Sequence, residues 1–308
     1  MKVGFIGLGT MGASMASNLQ RGGHELIVND LREEAATPHL AAGARWGDTP
    51  GDVAEFAEVV FTSLPGPAEV EVVARALLDG LVPGKVYFDL STNSPTVIRQ
   101  LHAEFAARDV QLLDSPVSGG PAGARSGKLA IWVGGDEQTF LRYKPVLDAI
   151  GDQVIRVGPI GAGSVAKLVH NVSGYMIQCA LAEAFTLGVK AGVDPLALWH
   201  AVRQGAVGRQ PTFDRLAANF LPGKFDPPSF ALRLAHKDVT LATALGREHR
   251  VPMHMANLAL DELTEALNRG WGERDSRVAM LLQEERAGVE IQVDEALIRQ
   301  TLEGGQAR

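Results

Sequence analysis

Six residues near the start of the chain, Gly7-Leu8-Gly9-Thr10-Met11-Gly12, constrain the fold more than any other feature. A short apolar run, Lys2 to Ile6, precedes them, and an Ala/Ser/Leu-rich stretch ending at Gly22-Gly23 comes next; a second apolar run, Glu25 to Asn29, then stops at Asp30. In a strand, turn, helix, strand order these glycines have separate physical tasks: Gly7 permits the tight turn, Gly9 admits a pyrophosphate to the backbone, and Gly12 lets helix and strand pack closely. The helix N-terminus then meets the phosphates with unpaired N–H groups. A glycine-rich turn that binds nothing would carry the same letters, but Asp30 at a separation of about 20 residues favours the cradle. Its carboxylate can accept hydrogen bonds from ribose hydroxyls and repel a 2′-phosphate, which predicts NAD. Arg32 weakens that preference and keeps NADP open, and Asp30 has an alternative role as a cap on the Arg32-Glu33-Glu34 segment. Gly7, Gly9, Met11, Gly12, Asn29 and Asp30 are the candidate cofactor residues of this stretch.

The alternation continues. Val59 to Leu64, Val86 to Leu90, Val110 to Leu113, Ala130 to Val133 and Gln153 to Val157 read as strands between helical stretches. The expectation is an α/β domain over residues 1–162 with a parallel sheet and ligands at the carboxyl ends of its strands. Polar loops stand at those ends: Pro65-Gly66-Pro67, Ser91-Thr92-Asn93-Ser94-Pro95 and Asp114 to Gly120. Ser94-Pro95 reads as an N-cap followed by proline at the first helical position, whereas Thr92 is a candidate cofactor contact. Ser118-Gly119-Gly120-Pro121 is either a plain turn or a place where N–H groups and a hydroxyl bind an anion such as a carboxylate. Gly123, Gly127, Arg125 and Lys128 predict that this region is mobile and locally basic.

From Gly161 to Gly192 the spacing predicts one long helix, apolar or small at Val165, Leu168, Val172, Tyr175, Met176, Cys179, Ala182 and Phe185. Lys167, Asn171, Gly174 and Gln178 form a polar stripe along another face. Beyond it, Pro195 to Gln204, Pro211 to Ala218, Ala231 to Arg247, Met255 to Asn268 and Arg274 to Gly288 all read as helices. The second domain, over 163–308, is therefore expected to be all-helical and joined to the first by the long helix. Other helices or a second copy must cover so apolar a helix, so a homodimer or homotetramer is expected. The tail beyond Gly288 is expected to fray.

A formal charge of −7 argues against a nucleic-acid partner. The single cysteine, Cys179, excludes an internal disulfide, fits a reducing cytoplasm and reads as a packing residue. No uncharged apolar run of about 18 residues occurs, so no membrane partner is expected. Glycines interrupt the apolar N-terminus, which reads as mature protein rather than a signal peptide. No His/Asp/Glu cluster has metal-ligand spacing, and metal-independent chemistry is expected.

Five ordered motifs, GFIGLGTMG at the start, DLSTNSP at 89–95, DSPVSGGPAGARSGKLAIWVGG at 114–135, GAGSVAKLVHN at 161–171 and AHKD at 235–238, together resemble the β-hydroxyacid dehydrogenases. The resemblance implies that Lys167 is the catalytic lysine, that Asn171 helps hold substrate beside it, and that Ser118, Gly119 and Gly120 form the loop for the substrate carboxylate. It further implies cofactor contacts at Leu64, Pro65 and Thr92, and at Lys237 from the second domain; without it, Lys237 and Asp238 read as an exposed charge pair. His170 and Glu69 depart from common family patterns, and His170 leaves the substrate's identity open.

Oxidising a 3-hydroxy acid requires a group that takes the hydroxyl proton while hydride leaves the same carbon. A lysine whose pKa is lowered by burial can do this, and can return the proton in reverse. No acidic residue lies within one turn of Lys167 on its own helix. An exposed lysine near a helix start is the alternative. Asn171, four residues on, shares its face, and His170 reads as a packing histidine, with a second proton carrier as the alternative. The expected activity is NAD-dependent hydride transfer with a small 3-hydroxy acid, against an imine reductase or a dinucleotide-binding module without turnover.

Overall fold

The computed structural model describes residues 1–193 and most of residues 194–308; outside the described residues are 194–197, 199, 200, 203, 210–213, 234, 237, 238, 241, 242, 244–246, 248, 249, 289, 290, 307 and 308. The side chains of 172–176, 178, 179, 181, 182, 186, 209, 214, 215, 287, 301 and 304–306 also lie outside them. Lys237 and Asp238 therefore fall outside the described residues, as do the side chains of Tyr175, Gln178 and Cys179.

The chain divides into two compact units, Met1–Ser173 and Gly174–Arg308. The division falls inside the long helix, Ala162–Lys190, rather than at its start.

Nine strands form the sheet of the first unit: β1 Lys2–Ile6, β2 Glu25–Asn29, β3 Arg45–Trp46, β4 Val59–Thr62, β5 Val86–Asp89, β6 Gln111–Asp114, β7 Val117–Ser118, β8 Leu129–Gly134 and β9 Gly151–Gly158. Strands β3, β2, β1, β4, β5 and β6 lie side by side and parallel. The sheet is not parallel throughout. β8 runs antiparallel to both β6 and β7, with Asp114 opposite Gly134 and Val117 opposite Ile131, and β9 is parallel to β8. The physical reason is length: the segment from Gly119 to Lys128, with a helix at Gly120–Ser126, is shorter than the dozen or more residues a parallel crossover needs. β6 and β7 form one line broken at Ser115-Pro116, and the Trp132 N–H bonds the Pro116 carbonyl across the break at 3.2 Å.

The helices bury apolar faces against both sides of this sheet. One core contains Val3, Phe5, Met15, Leu19, Val28, Phe61 and Phe88; the other contains Ile6, Ile27, Val60, Leu77, Tyr87, Ile98 and Phe105. Phe5, Phe61 and Phe88 stack in sequence across three strands, and Tyr143 meets Phe88 edge-on. Such aromatic contacts add to area burial and fix the strands' relative positions.

Two expectations of loop are corrected. Gly120–Ser126 is a helix, and the space beside Gly123 is closed by Leu129, so this glycine serves close packing rather than mobility. Glu295–Gln306 is also helical, so the C-terminal tail is not simply frayed. Two short strands, β3 and β7, carry too few residues for a periodic signal.

In the second unit one described core contains Phe220, Phe225, Leu232, Ala266, Val278 and Leu282, and a smaller one contains Leu187, Val251 and Met253. Helix His254–Asn268 agrees with the expected Met255 to Asn268, and Glu183 of the long helix accepts hydrogen bonds from the N–H groups of Met255 and Ala256 at its start. The expected helix Arg274 to Gly288 is instead a 3₁₀ turn, Ser276–Met280, followed by Leu281–Ala287. Only Asp214–Ala218 is described of the expected Pro211 to Ala218, and it is a 3₁₀ turn.

Candidate active site

Every polar loop expected to bind ligand leaves a strand at its carboxyl end. At the first of them, Gly7 has φ +94°, and a Cβ there would lie 2.4 Å from the Ser63 carbonyl oxygen. A Cβ on Gly12, the first residue of helix Gly12–Arg21, would lie 1.8 Å from the Gly7 carbonyl oxygen. Protein packing alone therefore demands glycine at 7 and 12. Gly9 is different: it is exposed, and nothing lies within 4 Å of where its Cβ would be. The protein leaves that side open, as a ligand pressed against the backbone requires. Met11 occupies the N-cap position and is partly buried.

Asp30 is tied to the same turn. One carboxylate oxygen accepts from the Leu8 N–H at 2.7 Å and the other from the Arg32 N–H at 2.9 Å, so Asp30 braces the glycine turn and closes a turn onto Arg32, while the 3₁₀ segment Glu33–Ala36 has no side-chain cap. Each carboxylate oxygen has further lone-pair capacity for a ribose hydroxyl. Asn29 is buried; its amide donates to the Gly47 carbonyl at 2.8 Å and its own carbonyl accepts from the Gly7 N–H at 3.0 Å. It shapes the turn through these bonds. The open backbone at Gly9 and the remaining acceptor capacity of Asp30 fit a dinucleotide.

A buried network supports the next two loops. Asp89 accepts hydrogen bonds from the Thr62 hydroxyl at 3.0 Å, the Ser91 N–H at 3.0 Å and the Asn93 amide at 3.0 Å, while Ser91 Oγ accepts from the Leu64 N–H at 2.9 Å. Burial pushes the Asp89 carboxyl above the ordinary value, against the pull of these donors. Leu64 is partly buried, whereas Pro65 and Thr92 are exposed beside it. Ser94 holds the N-cap position of Pro95–Ala106, but its hydroxyl makes no capping bond. Asp89, Ser91 and Asn93 were not singled out by sequence, although DLSTNSP placed polar residues where a strand ends.

The third loop adjoins the long helix. Lys167 is half-buried, and its Nζ donates to the Val117 carbonyl at 2.7 Å. Burial pushes its pKa down from the ordinary lysine value. Ser118, next along β7, is partly buried; Gly119 and Gly120 are exposed with φ +132° and +60°, backbone conformations that favour glycine. Asn171 lies one turn beyond Lys167 and is partly buried. His170 does not pack in a core: it is exposed, its Nε2 is 3.1 Å from Ser118 Oγ, and its ring lies 5.1 Å from that of Trp132. Thus Ser118, Lys167, His170 and Asn171 stand together in the first unit.

Asp114 anchors this arrangement. It is 1% exposed, and its carboxylate accepts from the Gly161 N–H at 2.7 Å and the Ser164 N–H at 2.6 Å, at the very start of the long helix. A charged acceptor at a helix N-terminus satisfies orphan donors and opposes the macrodipole. Burial pushes the Asp114 carboxyl up, against the pull of these donors. The sequence signal for this role is weak, because the residue and its partners are about 50 positions apart.

Residues 2–158 match the family described as the NAD binding domain of 6-phosphogluconate dehydrogenase, and residues 161–282 the one described as NAD-binding of NADP-dependent 3-hydroxyisobutyrate dehydrogenase. The 2-(hydroxymethyl)glutarate dehydrogenase of Eubacterium barkeri is 34% identical over 294 residues, covering 94% of this chain and 97% of that protein. The chain belongs to the β-hydroxyacid dehydrogenase family. A second member, the NAD-dependent L-serine dehydrogenase of Pseudomonas aeruginosa, is 35% identical, covering 91% of this chain and 97% of its own. The crystallised Mycobacterium tuberculosis 3-hydroxyisobutyrate dehydrogenase with L-serine has a TM-score of 0.65 at 30% identity, covering 91% of this chain and 98% of that one. An imine reductase from Myxococcus stipitatus in complex with NAD+ reaches a TM-score of 0.78 at 19% identity, covering 91% of this chain and 98% of its own, a likeness of fold. As a β-hydroxyacid dehydrogenase, the protein is an NAD(P)-dependent oxidoreductase acting on CH–OH donors. Among the described residues, no helix is long and apolar enough to cross a membrane.

Proposed function

We propose that the protein transfers hydride between a small 3-hydroxy acid of the hydroxyisobutyrate type and NAD, with Lys167 as proton carrier. The observation that carries this reading is the half-buried Lys167 amine bonded to Val117, the residue beside the Ser118-Gly119-Gly120 loop. As a neutral amine, Lys167 still has N–H groups to donate to the Val117 carbonyl while its lone pair takes the proton of the substrate hydroxyl. The ammonium so formed keeps the same bond and returns the proton in the reverse direction. A bound nicotinamide would supply the acceptor for the hydride from the carbinol carbon, and its donor in reverse. Ser118 Oγ and the N–H groups of Gly119 and Gly120 hold the substrate carboxylate, and Asn171 orients the substrate beside the amine. Gly7, Gly9, Met11, Gly12, Asn29, Asp30, Leu64, Pro65 and Thr92 hold the dinucleotide, with Lys237 contributing from beyond the described residues.

NADH formation with a panel of hydroxyisobutyrate, serine, glycerate and threonate at alkaline pH tests this. Turnover of one or more acids is expected; tight NADH binding with no turnover of any acid would leave imine reduction, or binding without turnover, as the function. The Lys167 amine supports the alcohol chemistry over imine reduction.

Asp30 supports NAD over NADP by its negative charge. Asp30→Asn retains an acceptor for the Leu8 N–H and removes the charge. The ratio of kcat/KM for NADP to that for NAD is expected to rise by about tenfold; an unchanged ratio would place the preference elsewhere.

The long helix leaves Val165, Leu168, Val169, Ile177 and Val189 exposed, each between 38% and 53%. These exposed apolar side chains support a homodimer or homotetramer. Sedimentation of the purified protein as a dimer or tetramer is expected, and a monomer at micromolar concentration would contradict it. The single cysteine supports a reducing cytoplasm.

A further inference from the structure

Asp89 is a buried carboxylate that the proton-transfer scheme leaves idle. It ends β5 directly opposite Thr62 at the end of β4, and the loops leaving these two strands carry Leu64, Pro65 and Thr92. Its Oδ1 accepts from the Thr62 hydroxyl and the Ser91 N–H, and its Oδ2 from the Asn93 amide, each at 3.0 Å. With the Thr62 hydrogen given to Asp89, the Tyr87 hydroxyl, 2.9 Å from Thr62 Oγ1, is the donor to Thr62. Thr62, Tyr87, Ser91 and Asn93 are all buried, so bulk water does not compete for these bonds.

The network reaches the surface at Thr92. Ser91 and Asn93 are both held to the one carboxylate, and Thr92 between them is exposed. Ser91 also crosses to the neighbouring loop, its Oγ accepting from the Leu64 N–H at 2.9 Å. Asn93 Oδ1 accepts from the Ser94 N–H at 2.7 Å, at the start of helix Pro95–Ala106. Leu64 in turn closes on the glycine turn, where its Cδ2 stands 3.0 Å from the place a Cβ on Gly7 would take. Asp89 thus registers the loops after β4 and β5 against each other, and Leu64 registers them against the turn after β1.

Strand order indicates which part of a dinucleotide these loops serve. Asp30 follows β2 and the glycine turn follows β1, whereas β4 and β5 lie on the other side of β1. With the adenosine ribose at Asp30 and the pyrophosphate at the turn, the nicotinamide half is left the β4–β5 side. We propose that Ser91, held by Asp89, is a positioning residue for the nicotinamide half of the cofactor: its hydroxyl fixes the Leu64 backbone, and its N–H, together with the Asn93 amide, fixes the exposed turn at Thr92. The adenosine half is held separately, by Asp30 and the glycine turn. This rests on the cofactor contacts assigned above to Leu64, Pro65 and Thr92, and adds the group that places them. Without the Ser91 hydroxyl the Leu64 N–H loses its acceptor and the two loops lose their common register. A misplacement on the order of 1 Å at the reacting centre costs up to about 10²-fold in rate.

The test compares binding of NADH, by fluorescence, with binding of ADP-ribose, which lacks the nicotinamide, by calorimetry. Both are measured in the unaltered protein and in Ser91→Ala, Asn93→Ala and Thr92→Ala, with melting temperatures alongside. Ser91→Ala is expected to weaken NADH by about tenfold, the contribution of one ordinary hydrogen bond, and to leave ADP-ribose within about twofold, as separate sites allow. Asn93→Ala, the other arm of the clamp, should show the same split. In both variants kcat should fall by about tenfold or more while KM for the acid changes little. Parallel losses for NADH and ADP-ribose would reveal a general loss of structure and overturn the positioning role, as would undiminished NADH affinity in Ser91→Ala. Thr92→Ala separates the proposal from the reading beneath it. Weakened NADH binding there but not in Ser91→Ala would remove the clamp and leave the contact standing, whereas unchanged NADH binding in both would remove the clamp and the Thr92 contact together. The binding measurements need no substrate, so their outcome is independent of which acid the enzyme turns over.

Discussion

Lys167→Ala is expected to lower kcat for oxidation of the preferred 3-hydroxy acid by about 10²–10⁴-fold, the range for losing a positioned acid/base, while NADH affinity changes little. The expectation rests on where the amine sits: it is half-buried, bonded to the Val117 carbonyl, and its pKa is pushed below the ordinary lysine value by burial. Oxidation needs the neutral amine, so the rate should climb as pH rises through that lowered pKa and level off above it; reduction needs the ammonium and should fall over the same interval. The limb belongs to Lys167 if it disappears in the alanine variant and if a small added amine such as ethylamine restores part of the rate. Lys167→Arg should not rescue, because a guanidinium does not release its proton in this range. A variant retaining more than a tenth of kcat, or a pH limb that persists in it, would show that another group carries the proton.

The second large effect separates packing from binding within one motif. Gly12→Ala places a methyl 1.8 Å from the Gly7 carbonyl oxygen, backbone that cannot swing aside. A loss of about 3 kcal/mol in stability is expected, with a fall in melting temperature on the order of 10 °C. Gly9→Ala meets nothing within 4 Å and should leave the melting temperature within a few degrees of the unaltered protein. Its cost should appear as NADH affinity weakened by ten- to a hundredfold, since the methyl occupies the space through which a pyrophosphate nears the backbone. Thermal unfolding and NADH titration of both variants decide the matter. Equal thermal losses, or undiminished affinity in Gly9→Ala, would contradict the division of labour.

The features legible in the sequence are those written locally. Gly7 to Gly12 lies between two apolar runs, and periodicity and glycine placement alone suffice for strand, turn, helix and strand. Lys167 and Asn171, four residues apart, announce a shared helix face. What periodicity could not convey depends on residues distant along the chain. Asp114 reads as one more polar residue at a strand end until the start of the long helix closes on it. Asp89 likewise gains meaning from Thr62, Ser91 and Asn93 surrounding it in the interior. The reversal at β8 was hidden because a short glycine-rich helix, Gly120–Ser126, stands where composition suggested a flexible loop. His170 has the spacing of a packing residue, and only the fold brings Ser118 and Trp132 to it.

The Asp114 tether also defines a unit of exchange between related enzymes. The segment entering the Ser118-Gly119-Gly120 loop and the helix bearing the lysine are clamped by the same side chain, so a chimera that imports residues 115–120 from a relative inherits a foreign loop on a native anchor. One that imports 114–120 must bring a matching helix start at 161–164, or lose the registration of amine and hydroxyl together. A graft is therefore expected to keep the Lys167 amine in register with Val117 and Ser118 only when it carries Asp114 together with the helix start at 161–164.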